Sequence, residues 1–190
     1  MNDKINRQLR IYMYIRNTEL HGPDDLIEVF GIGRRMLQRD LKDLRDCGMI
    51  SLKYRRKPDR NYVNASKPAV FDESSTGRHR QHLIRLRRLC ILTDKLPQTD
   101  MREITDYENA LEEYILYRDE WMLEDPYMYP PEELGEPPEF PDLPDIKAIY
   151  YELFPDSNER TRQRDFKELN EAGFEIHYDR KYKVFIVGEE

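Results

Sequence analysis

The sequence predicts a mainly α fold with small β-hairpins, and two observations predict it. The first is the stretch 33–48, which reads as one amphipathic helix closed by a glycine. Leu37, Leu41 and Leu44 recur at i, i+4 and i+7 and form an apolar stripe. Arg35, Gln38, Arg39 and Lys42 recur at i, i+3, i+4 and i+7 and form a polar face, with Arg34 beside it at the helix start. Gly48 suits the helix end. Ile50, Leu52 and Tyr54 then alternate as a strand does. Arg55, Arg56, Lys57 and Arg60 make a basic turn, and 61–63 is a short returning strand.

The second observation is a repeat. Residues 160–173 align without gaps to 35–48, and seven of fourteen positions are identical: Arg35/Arg160, Gln38/Gln163, Arg39/Arg164, Asp40/Asp165, Lys42/Lys167, Leu44/Leu169 and Gly48/Gly173. Phe174, Ile176 and Tyr178 alternate next, residues 179–181 form a tip with Arg180 and Lys181, and 182–187 returns. A repeated helix followed by a repeated hairpin reads as an internal duplication.

The remaining elements follow in order. Residues 3–17 form a first helix with Ile5, Leu9, Tyr12 and Met13 on one face. A turn at 21–24 contains Pro23, which suits a helix start. Residues 25–30 form a second helix offering Leu26, Ile27, Val29 and Phe30 to the core, and 31–33 is a tight turn. Three helices and then a hairpin is the order of a winged helix-turn-helix unit. That unit is expected over 1–65, with a Ser/Pro-rich linker at 66–77 and a second such unit over 78–190. The second unit opens with a helix at 78–96, where Leu83, Leu86, Leu89 and Cys90 lie on one side and Arg85 and Arg88 elsewhere. Its second helix is expected at 145–154, where Glu152, Leu153 and Phe154 echo Glu28, Val29 and Phe30.

Between them, 97–143 reads as an insertion. Residues 101–124 form a helix on which Ile104, Tyr107, Leu111, Tyr114, Arg118 and Trp121 follow 3-4 spacing. This seam packs on its own chain or joins two chains as a homodimer. Residues 125–145 carry seven prolines and seven carboxylates. That composition favours an extended segment, either a solvated linker or an acidic peptide that docks on a basic surface.

Charge is segregated along the chain. Residues 1–96 carry 21 basic and 12 acidic residues, 97–145 carry 2 and 16, and 146–190 carry 8 and 10. The basic first half favours a polyanionic partner and the acidic middle repels one. Cys47 and Cys90 sit at apolar helical positions and read as reduced core thiols. The Met-Asn-Asp-Lys start lacks the apolar core of a signal peptide, so a cytoplasmic location is expected.

No phosphate-cradling glycine loop and no nucleophile–base motif stands out, so neither enzyme activity nor a cofactor is expected. His79 and His82 have helical spacing for a metal pair, but no third ligand stands out near them in the sequence. No metal is therefore expected.

Residues 35–41, followed by Leu44, Gly48 and a strand, resemble the N-terminal winged helix of DeoR-type and WYL-domain bacterial transcription regulators. So do residues 159–166 with Leu169, Ala172, Gly173 and 177–181. The resemblance covers roughly 3–64 and 144–187 and implies double-stranded DNA as partner, read by Arg35, Gln38 and Arg39. Three departures stand out: Gly33 replaces a Ser-like cap, Arg162 replaces an aliphatic core residue, and no effector domain follows. The function expected is transcription regulation. The alternatives are a plasmid or phage replication or maintenance initiator with paired winged helices, and a winged-helix adaptor that recruits a protein through the acidic insertion.

Overall fold

The computed structural model describes residues 4–17, 22–54, 62–64, 71, 77–124 and 135–188. Among these residues the chain is mainly helical, with two antiparallel β-hairpins. Helices α1 (Lys4–Asn17), α2 (Pro23–Phe30) and α3 (Arg34–Asp46) precede a hairpin of β1 (Leu52–Tyr54) and β2 (Tyr62–Asn64). Helices α4 (Gly77–Lys95), α5 (Met101–Glu124), α6 (Ile146–Leu153) and α7 (Glu159–Glu171) follow, then β3 (Ile176–Asp179) and β4 (Val184–Val187). The register pairs Lys53 with Val63 in the first hairpin and Tyr178 with Phe185 in the second. The proposed linker lies almost wholly outside the described residues, and so does the basic turn holding Arg55, Arg56, Lys57 and Arg60.

Both repeated helices end the same way. Gly48 and Gly173 take positive φ of 76° and 88°, which a side chain disfavours. The amide of Gly48 donates to the Arg45 carbonyl and that of Met49 to Leu44. The amides of Gly173 and Phe174 make the same bonds to Asn170 and Leu169. This closes each helix and turns the chain into its hairpin.

One apolar cluster joins the two halves. Ile5, Leu9, Ile11 and Tyr12 of α1 meet Leu86, Leu89, Cys90 and Leu92 of α4, and Leu37, Leu41 and Leu44 fill the cluster from α3. Burying each of these leucines contributes about 1.5–3 kcal/mol. The helices also pack crosswise: α1 touches α7 as well as α3, and α4 touches α3 as well as α7. Val29, expected in the core, is 52% exposed. The buried side of the short α2 runs through Leu26, Ile27 and Phe30, and Val29 falls to its edge.

The inserted helix α5 has the expected bounds. Its seam divides. Ile104 is buried within the chain, and Tyr107 meets Phe140 edge-on at 5.2 Å and Tyr182 at 6.0 Å. Leu111, Tyr114 and Trp121 are half-buried, while Leu116 and Leu123 stand exposed. Residues 135–145 form no helix or strand, as their prolines dictate, until Asp145 caps α6 by accepting the Ala148 amide at 2.9 Å. No helix among the described residues is long and apolar enough to cross a membrane.

Candidate nucleic-acid interface

The outer face of α3 is built by what its inner face consumes. Leu37, Leu41 and Leu44 are buried, and two of the helix's carboxylates turn inward with them. Asp40 receives Arg7 at 2.7 Å and 3.1 Å and Gln8 at 3.0 Å. Asp43 receives Lys4 at 2.6 Å and Gln8 at 2.8 Å. Burial raises the Asp43 carboxyl, but the Lys4 and Gln8 bonds more than offset this and hold it below the usual carboxylate range. Asp40 and Asp43 are therefore satisfied by α1.

Arg35, Gln38, Arg39 and Lys42 are exposed on the other side. Among the described residues none of these four is ion-paired. Asp43 turns inward towards α1 and does not neutralise this face. Arg34 is exposed and bonded to Asp24 at 2.7 Å.

The second half repeats the inward ion pairs, with Tyr150 rather than a glutamine as the further donor. Asp165 receives Arg88 at 2.7 Å and the Tyr150 hydroxyl at 2.8 Å, and Glu168 pairs with Arg85. Asp40 and Asp165 are aligned in the repeat, as are Asp43 and Glu168. Their partners Arg7/Arg88 and Lys4/Arg85 are each 81 positions apart, which extends the duplication to α1 and α4. Arg85 and Arg88, expected away from the packed side of α4, in fact reach across to α7. They flank the leucine stripe of α4, and their heads meet the acids of α7.

The outer face of α7 differs from that of α3. Arg160, Gln163, Arg164 and Lys167 are exposed there too. Gln163, however, donates to Glu159 at 3.1 Å, Lys167 lies 3.8 Å from Glu171, and Arg164 lies 3.9 Å from Asp165. Arg162 stands where the family resemblance expects an aliphatic core residue, and a guanidinium there would be expected at the surface. It is buried instead, at the position of Leu37 in the first half. Its guanidinium pairs with Glu159 and lies over the rings of Phe166 at 5.1 Å and Phe185 at 4.8 Å.

The insertion touches the tip of the second hairpin. Lys181 pairs with Glu108 of α5 at 2.6 Å, and the Tyr182 hydroxyl donates to the same carboxylate. Phe140, from the acidic proline-rich segment, stacks on Tyr182 at 4.5 Å. The Lys181 bond holds the Glu108 carboxyl below its usual range. Arg180 is exposed. Cys47 and Cys90 are buried free thiols, and burial pushes Cys47 up to about 12.

Residues missed in the sequence are the inward ion pairs. Asp40/Asp165 was identical in the repeat and lay on the apolar side of the helix, which was a usable signal. His79 and His82 face Asp43 and Asp46 across the α3–α4 contact, which sequence spacing alone did not bring together. No protein-family model, curated protein or solved structure matches this chain.

Proposed function

We propose that this chain is a sequence-specific DNA-binding protein built from two winged helix-turn-helix units, residues 1–65 and 78–190, acting in transcription regulation. The observation that carries the reading is the outer face of α3. Arg35, Gln38, Arg39 and Lys42 are exposed there while Asp40 and Asp43 are held inside. Arginine matches guanine and glutamine matches adenine through paired hydrogen bonds in the major groove. Arg55, Arg56, Lys57 and Arg60 would supply phosphate contacts from the first wing. The crosswise packing of α1 and α4 supports one chain presenting two helix faces from a common core, with double-stranded DNA as partner.

The test is selection of bound duplexes from a random pool, followed by a salt titration on the winners. The reading expects an enriched motif and log K falling with log salt at about −0.9 per phosphate contacted. No enrichment, with salt-insensitive behaviour, would shift weight to an adaptor role. The exposed Leu116 and Leu123 on α5 favour that second reading.

A further inference from the structure

We propose that Asp43, Asp46 and His79 form a divalent-metal site, suited to Zn²⁺, that ties α3 to α4, with His82 beside it. The sequence places each pair three residues apart on its own helix. The fold sets the two helices against each other so that the pairs meet. One ligand atom each from Asp43, Asp46 and His79 lies within 4.8 Å of the other two. His79 Nε2 is 3.8 Å from Asp43 Oδ1, and His82 Nε2 is 3.7 Å from Asp43 Oδ2. One imidazole and two carboxylates, with water completing the shell, are a donor set that a borderline cation such as Zn²⁺ accepts. Metal–ligand bonds near 2.0–2.1 Å place tetrahedral ligands roughly 3.3 Å apart, so the side chains would draw in by about 1 Å.

The surroundings favour a cation over a closed ion-pair network. Lys4 holds Oδ2 of Asp43 at 2.6 Å, which leaves Oδ1 turned to His79. Asp46 is half-buried and makes no side-chain hydrogen bond or ion pair among the described residues. His82 meets the Gln8 amide oxygen at 2.8 Å. The duplication does not account for this cluster. The counterparts of Asp43 and Asp46 are Glu168 and Glu171, and Glu168 is answered by Arg85. The histidines are an addition to one half of the molecule. An ion here would fix the orientation of α3, and its detection requires no DNA.

The experiment strips the full chain with EDTA. It then titrates Zn²⁺ by calorimetry and Co²⁺ by visible absorption, and compares melting with and without Zn²⁺. The expected result is one ion per chain, the d–d bands of a tetrahedral Co²⁺ site and a higher Tm. His79→Ala and Asp46→Ala, both partly or fully at the surface, should each weaken binding at least about tenfold while far-UV dichroism is retained. His177→Ala, on β3, should leave binding unchanged. No saturable binding, or equal binding by the His79→Ala/His82→Ala double variant, overturns the site.

Discussion

The two repeated helices, α3 and α7, share their inner construction and part company on their outer faces. Each buries two carboxylates against cations from one other helix, Asp40 and Asp43 against α1 in the first and Asp165 and Glu168 against α4 in the second. At the start they diverge. The N-terminus of α3 has Gly33 without a side-chain cap, no acid in its first turn, and Arg34 and Arg35 at its positive end. Cations at that end cost about 0.3–1 kcal/mol each. In α7, Asn158 caps the helix by accepting the Thr161 amide at 2.9 Å, and Glu159 stands in the first turn. Arg34 and Glu159 occupy the same repeat position, and so do Leu37 and Arg162. Where α3 breaks the local rules of helix stability, α7 keeps them and spends its acid on Arg162 and Gln163. Local rules are broken most often where function demands it, so within the function proposed above we give groove reading to α3 and a scaffolding role to α7.

The shared half of that comparison carries the largest effect. Asp40→Ala and Asp165→Ala each strand a mostly buried arginine, Arg7 or Arg88. Each should cost about 3 kcal/mol of stability, read as a fall in the urea midpoint without a change in slope. Two losses of similar size would support a duplicated inner frame. A loss under about 1 kcal/mol from either one would break the equivalence.

The divergent half predicts the next effect. Arg39→Ala should weaken binding to the selected duplex by about 1–3 kcal/mol, or roughly 5–150-fold. Arg164→Ala, at the same repeat position, should change it by less than about threefold. A gel-shift or anisotropy titration decides between them. Equal losses would mean that both helices read DNA, and no loss from Arg39→Ala would remove the recognition-helix assignment. The wings give a finer version of the same contrast. Glu108→Gln releases Lys181 from α5. If the second wing lies within reach of phosphate, the salt slope should steepen by about one contact. An unchanged slope would place that wing away from the duplex.

The helices and hairpins were legible because their periodicities are strong: α5 was found at its observed ends, and the others within a few residues. The inner ion pairs were not. Reading by hydropathy puts every charged residue on the solvent side, and Asp40, Asp43, Asp165 and Glu168 violate that assumption. Their partners lie on other helices far along the chain, for example 33 residues between Arg7 and Asp40. What lets Arg162 sit at a core position was hidden for a related reason: its cradle needs Phe185, brought in by the second hairpin. The split of the aromatic seam depended on Phe140 and Tyr182, which spacing along one helix cannot supply.

The smallest effect probes the Arg34/Glu159 difference directly. The Arg162 bond, then the Tyr151 hydroxyl at 2.9 Å, hold the Glu159 carboxyl down at about 2 from an ordinary 4.5. A carboxyl lowered on folding stabilises the native state fully above its unfolded value and loses that contribution as pH falls through the folded one. Stability from Glu159 should therefore be complete above about pH 4.5 and fade as pH approaches 2. Because the side chain is half exposed, the effect should be modest. The difference in Tm between the wild type and Glu159→Gln should shrink over that window, and carboxyl-carbon NMR should report the titration of Glu159 itself. A Glu159 that titrates near 4.5 would mean that Arg162 is not held by it. The buried arginine would then need another anion, and the contrast between the two helix starts would lose its physical basis.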